Sequence, residues 1–169
     1  ASYEARVFGV HSAMPIATAR RLCPEGIFVR GRRGRYAELS RAIMTALNDF
    51  SFFVEPASID EAYLDATGLT RLFGPLEALI ARIKSRVAEV TGGLTCSVGA
   101  APVKFLAKIC SDVNKPDGVF ILRPEEVDAF LLSLEVGRLP GVGRRMAGSL
   151  RDLGIVTVAV TSTITASLR

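Results

Sequence analysis

Two acidic residues stand side by side in the run Ser58-Ile59-Asp60-Glu61-Ala62-Tyr63-Leu64-Asp65. Along a regular strand successive side chains point to opposite faces, so Asp60 and Glu61 serve one site only where a bend breaks the alternation. The apolar runs on either side, Phe52-Phe53-Val54 and Ala62-Tyr63-Leu64, read as short strands joined by a tight connection that supplies such a bend. Two converging carboxylates repel each other, and a hard divalent cation such as Mg2+, which takes oxygen ligands, relieves the repulsion. Surface turns also carry Asp and Glu as solvated charges, so the pair alone admits both readings.

Three further groupings have the residue types to hold phosphate. In Tyr3-Glu4-Ala5-Arg6 the hydroxyl and the guanidinium lie at i and i+3, on one face of a helix, where they can grip one phosphate chain. Lys115 precedes a Pro116-Asp117-Gly118 turn at the end of a helical run, which presents an ammonium group suited to a triphosphate, a solvated lysine being the plain alternative. In Leu139-Pro140-Gly141-Val142-Gly143-Arg144-Arg145, two glycines let the backbone approach a phosphate ahead of a helix N-terminus. Arg144 and Arg145 beside them favour DNA backbone as the ligand, and the pattern reads as the hairpin of a helix-hairpin-helix element.

The elements that must position these groups follow from periodicity. Apolar residues at helical spacing predict helices over 12–22, 34–49 and 76–90, the last closed by Gly92-Gly93 as a C-cap. Another helix is expected from Pro102 through Val113, with β-like runs at 27–29, 95–101 and 119–121. Beyond Pro124 the pattern turns helical, with Val127, Phe130, Leu131 and Leu134 and then Met146, Leu150 and Leu153 as its apolar positions. The order is a small helical unit, an α+β unit with antiparallel strands, and a second helical unit.

At 169 residues, 49% hydrophobic and 22% charged, the chain can fold by burial and has no stretch of about 20 apolar residues to span a bilayer. Its net charge of +4 favours an anionic partner. Arg20, Arg21, Arg30, Arg32, Arg33 and Arg35 cluster in one stretch, either as a solvated face or as a nucleic-acid surface. Cys23, Cys96 and Cys110 are odd in number and far apart, so they read as reduced core thiols of a cytoplasmic protein. The first residues lack the basic-then-apolar layout of a signal peptide, and both ends read as parts of a longer chain.

In their order and separations these motifs resemble the Y-family, or translesion, DNA polymerases, most nearly the bacterial DNA polymerase IV type. Tyr3-Glu4-Ala5-Arg6 with Phe8-Gly9-Val10 is similar to the family's fingers motif, the run from Ser58 to Asp65 to its palm motif, and Ala107 to Gly118 to its AK-I-SD-NKP-G segment. The 139–150 stretch resembles its thumb hairpin. The resemblance implies an α+β fold: fingers at 1–31, a palm at 32–123 with an antiparallel sheet and helices on one face, and a helical thumb at 124–169 bearing the helix-hairpin-helix. It implies that Asp60 and Glu61 are catalytic ligands of two Mg2+ ions and that Tyr3, Arg6 and Lys115 hold the triphosphate of the incoming deoxynucleotide. Ala13 and Met14 would lie near the nascent base pair, while Gly141, Gly143, Arg144 and Arg145 would meet the backbone of primer-template DNA.

Members of the family also carry a first palm strand with a further aspartate, a little-finger domain and a tail that binds the sliding clamp. All of these would lie outside this chain, so its metal site is expected to be incomplete and the chain inactive by itself. Two rival readings are a non-catalytic, polymerase-like DNA-binding accessory protein and a palm-type nucleotidyl cyclase. The first is disfavoured by unpaired carboxylates beside DNA phosphates. The second leaves the glycine hairpin without a purpose.

Overall fold

The computed structural model of the protein describes residues 1–159, and the chain divides into one unit over Ala1–Tyr36 and a second that begins at Ala37. In the first unit, α1 (Tyr3–Val7) is capped by Ser2, whose hydroxyl accepts from the Ala5 N–H at 3.3 Å. It ends at Phe8, followed by Gly9 at φ +80°. The next helix, α2 (Ile16–Leu22), starts later than its periodicity suggests. Ala13 takes φ +64°, which no helix interior accepts, and Pro15 stands at the N-cap.

The strand expected at 27–29 does not form. Ile27 and Val29 are 91% and 83% exposed and have no ladder partner among the described residues, and a lone extended segment leaves its N–H and C=O groups to water. The guanidinium of Arg20 lies 5.1 Å from the Phe28 ring centroid. α3 (Arg33–Leu47) begins here and continues into the second unit, where Ala46 and Leu47 are buried.

In the second unit β1 (Val54–Pro56) and β2 (Ala62–Leu64) pair antiparallel, with Glu55 opposite Tyr63. A short helix that the sequence pattern did not signal, α4 (Thr70–Phe73), precedes α5 (Leu76–Thr91). The buried face of α5 carries Leu79, Ile80 and Val87, and the helix closes at Gly92 with φ +73° as the glycine pair predicts. β3 (Val98–Ala100), α6 (Lys104–Val113) and β4 (Val119–Ile121) then form a β-α-β unit. Its strands are parallel, Val98 opposite Val119 and Ala100 opposite Ile121.

The expectation of one antiparallel sheet is therefore corrected. There are two separate two-stranded ladders among the described residues, and the second is parallel because a whole helix intervenes between its strands. Helix α6 begins two residues after Pro102, with Val103 as its N-cap.

The main core is built on α6. Leu106, Ile109 and Cys110 are buried together with Leu122 and Leu134, and Phe120, Val127, Phe130, Leu131 and Leu139 pack against them. Each such fully buried Leu or Ile side chain contributes about 1.5–3 kcal/mol. A 3-10 turn at Pro124–Glu126 leads into α7 (Val127–Ser133), a second at Val136–Arg138 into the glycine hairpin, and α8 (Arg144–Asp152) follows. Thr157 bridges to Glu135, and the rest of the segment expected to be thumb, 160–169, lies outside the described residues.

All three cysteines are free, Cys110 buried and the other two half-buried. No helix among the described residues is long and apolar enough to cross a membrane.

Candidate active site

The bend that the paired carboxylates require is present between β1 and β2. The N–H groups of Ala57 and Ser58 both donate to the Glu61 carbonyl, at 2.8 and 3.1 Å, which folds residues 57–61 back on themselves. Ser58 closes the inside of the loop: its hydroxyl donates to Asp60 Oδ1 at 2.8 Å and accepts from the Asp60 N–H at 3.3 Å. Asp60 is exposed on the loop and Glu61 half-buried at the entry to β2.

Across from this loop runs one stripe of α6. Lys104, Lys108 and Asp112 follow one another at i+4, and Lys115 comes just beyond the helix end. Lys104 pairs with Glu55 of β1, and Lys108 pairs with Glu61. Lys108 also lies 3.7 Å from Asp112, whose other oxygen is 2.5 Å from Lys115. Charges of alternating sign thus run Glu61, Lys108, Asp112, Lys115, tying the acidic loop to the lysine that precedes the turn. Partial burial pushes the Lys108 ammonium down, but the hydrogen bond to Glu61 and the nearby Asp112 charge outweigh it and hold the group above the usual lysine range. Lys108 and Asp112 were not singled out as site residues by sequence reasoning. Their spacing from Lys104 was the available signal, but it does not name the partner strand.

Lys115 itself opens a turn whose Lys115-Pro116 peptide is cis and whose Asp117 has φ +53°. Asp60, Glu61 and Lys115 therefore belong to one connected region of the second unit.

Asp60 and Glu61 present the hard oxygen donors that Mg2+ prefers, on a bend that frees them from strand alternation. Lys108 already places a cation against Glu61, so that carboxylate is oriented across from α6. The pair suits a hard cation as two of its protein ligands. No group of three or more acidic, His or Cys side chains with metal-site geometry occurs among the described residues.

In the first unit, Tyr3 and Arg6 share a face of α1 as their spacing requires, the guanidinium 5.5 Å from the ring centroid. Arg6 Nε also donates to the Ala1 carbonyl at 3.3 Å. Ala13 and Met14 occupy the turn before α2, where the Met14 N–H donates to His11 O at 3.3 Å.

The glycine hairpin has an open backbone. Gly141 sits at φ +89° and Gly143 is the N-cap of α8, and a Cβ at either would meet nothing within 4 Å. Arg144 and Arg145 occupy the first turn of α8, which holds no acidic residue. Two cations at the positive end of a helix dipole are unfavourable unless an anion sits there. The element before this hairpin is a single 3-10 turn in place of a full helix.

Residues 1–112 match the family model described as the impB/mucB/samB family. Over 159 residues the chain is 51% identical to a DNA polymerase IV from Xanthomonas axonopodis pv. citri, covering 94% of this chain and 44% of that protein. It is 52% identical over 157 residues to a DNA polymerase IV from Methanoculleus marisnigri, covering 93% and 43%. Among solved structures it superposes on DinB from Sulfolobus solfataricus with a TM-score of 0.85 at 42% identity, covering 92% of this chain and 46% of that one. An insertion ternary complex of Dbh DNA polymerase gives a TM-score of 0.82 at 41% identity, covering 92% and 45%. The chain spans less than half the length of the curated relatives it matches.

Proposed function

The chain belongs to the impB/mucB/samB family, that of the Y-family DNA polymerases, and on that premise we propose that it forms the nucleotide-handling part of a DNA-directed, lesion-bypass DNA polymerase. The observation that carries this reading is the charged stripe on α6, which joins the Asp60–Glu61 bend to Lys115. Acidic metal ligands and a triphosphate-binding cation are the two groups that nucleotidyl transfer needs close together.

In this reading Asp60 and Glu61 hold Mg2+, which when bound lowers the pKa of the primer 3′-hydroxyl and neutralises charge on the leaving pyrophosphate. Lys108 keeps Glu61 aimed. Lys115 takes the triphosphate of the incoming deoxynucleotide, exchanging its contact with Asp112 for one with phosphate. Tyr3 and Arg6, on one face of α1, are the hydroxyl and guanidinium that this reading assigns to phosphate, and Ala13 and Met14 the residues that it assigns to the nascent base pair. The N–H groups at the start of α8, with Arg144 and Arg145, bind the backbone of the primer-template duplex, which supplies the anion that their position lacks. Catalysis by these groups is positioning and charge stabilisation.

A second reading, a polymerase-like DNA-binding protein without catalysis, draws on the Lys108–Glu61 pair. Glu61 is charge-compensated without a metal, so carboxylate repulsion beside DNA argues against this reading only through Asp60. Primer extension by the full-length protein separates the two. Asp60→Ala should lower extension by roughly 10²–10³-fold or more and leave DNA affinity within about twofold. Extension near the wild-type rate would overturn the assignment of Asp60. Mg2+-independent DNA binding with no extension by the unmutated protein would favour the second reading.

A further inference from the structure

The turn that carries Lys115 is held from outside by a lysine of another helix. Lys84 of α5 donates to the Cys96 carbonyl at 2.8 Å, to the Asp117 carbonyl at 2.6 Å and to Asp117 Oδ1 at 2.5 Å. An ammonium group has three donors, and these contacts use all of them. The side chain is only 21% exposed, so water competes weakly for those bonds.

The two residues that Lys84 reaches are the approaches to neighbouring strands, Cys96 shortly before β3 and Asp117 shortly before β4. Asp117 adopts φ +53°, a region that non-glycine residues seldom occupy without outside support. Bonding both its carbonyl and its carboxylate supplies that support.

The residues that follow Asp117 are equally constrained. A Cβ on Gly118 would lie 1.8 Å from the Asn114 carbonyl oxygen, so the chain doubles back tightly against the end of α6. The Val98 N–H donates to Gly118 O at 2.9 Å, and Asn114 Nδ2 donates to Val119 O at 2.8 Å. Lys115, two residues before Asp117, therefore leaves a backbone fixed at one end by α6 and at the other by Lys84 and β3. Its ammonium rests on Asp112.

We propose that Lys84 is a positioning residue for Lys115: it locks the 115–118 turn so that the Lys115 ammonium meets the incoming triphosphate from a preorganised backbone. The inference rests on the polymerase reading, in which Lys115 binds that triphosphate. Lys84 acts through the turn and has no contact of its own with nucleotide. A tie serving stability alone would lower folding stability without altering nucleotide binding by the folded fraction.

The test is single-nucleotide insertion by the full-length polymerase carrying Lys84→Met, Lys84→Arg, Lys115→Ala, or Lys84→Met with Lys115→Ala. Lys84→Met should raise KM for the deoxynucleotide roughly tenfold with kcat within about twofold, the signature of lost binding and not of lost chemistry. Lys84→Arg should recover most of that loss. The double variant should be no worse than Lys115→Ala alone, because residues acting through one another are not additive. Amide hydrogen exchange over 117–119 should quicken in Lys84→Met and not in Lys84→Arg.

An unchanged KM in Lys84→Met, or additive effects in the double variant, overturns the proposal while leaving the polymerase reading in place. An unchanged KM in Lys115→Ala instead removes the premise. Should Lys84→Met fail to fold, Asp117→Asn tests the same bond from the other side, with a several-fold rise in KM expected and no rise counting against the proposal.

Discussion

Replacing Gly99 by alanine tests the seating of α6, on which the candidate site depends. Gly99 is the middle residue of β3, opposite Phe120 in the parallel ladder. A Cβ there would lie 2.2 Å from both the Ala107 carbonyl oxygen and the Ser111 nitrogen, and 2.7 Å from the Cys110 carbonyl carbon. Ordinary contact begins near 3.5 Å, so the shortfall at the two closest atoms is about 1.3 Å. The obstructing atoms are helix backbone, which cannot rotate aside as a side-chain end would. Helix α6 must lift as a body, and it carries Leu106, Ile109 and Cys110 at the centre of the core.

Overpacking of this kind costs about 1–3 kcal/mol where side chains can adjust, and the rigid neighbours here place Gly99→Ala at about 3 kcal/mol or above. With a urea m-value of about 2 kcal/mol per molar, the unfolding midpoint should fall by about 1.5 M. The assay is equilibrium urea denaturation followed by far-UV circular dichroism. A loss below about 0.5 kcal/mol, the range of an ordinary surface change, would refute the close approach of β3 and α6 and with it the geometry that brings Lys108 to Glu61.

Truncating Leu106, 2% exposed, to alanine should cost about 2–5 kcal/mol in the same assay, whereas Phe52→Ala, at a side chain 99% exposed, should change stability by no more than about 0.5 kcal/mol. Equal losses would contradict the core drawn around α6. Arg144→Ala combined with Arg145→Ala should weaken DNA binding across sequences and lower the slope of log affinity against log salt by about 2, measured by fluorescence anisotropy. An unchanged slope would remove these arginines from the DNA surface. Burial pushes the Cys110 thiol above its ordinary range, so at neutral pH it stays protonated and closed to alkylation. Mass spectrometry after brief iodoacetamide treatment should find Cys110 modified only in denaturant, and labelling of the native protein as fast as the unfolded one would contradict its burial.

The helices were the most legible part of the fold. The 3.6-residue recurrence of Leu76, Leu79, Ile80, Ile83 and Val87, with glycine behind it, marks α5 to within a residue of its ends, because helix and cap are both local devices. Strands were not legible in the same way. Val98-Gly99-Ala100 and Val119-Phe120-Ile121 are three-residue runs that encode no direction, so their parallel pairing comes from α6 crossing between them. The run at 27–29 has strand-like residues and remains unpaired among the described residues because a strand needs a partner as well as a propensity.

The candidate site divides along the same line. By itself the sequence determined which chemistry is on offer: adjacent carboxylates at a bend, a lysine before a Pro-Asp-Gly turn, and glycines ahead of two arginines. These are properties of residue type and near-neighbour spacing. Only the tertiary structure decided which charges meet. Glu61 finds Lys108 across 47 residues, and Lys84 finds Asp117 across 33. Such pairings depend on how α5 and α6 lie against the strand ends, which is set by the burial of their apolar faces and leaves no mark in the spacing of the charged residues themselves.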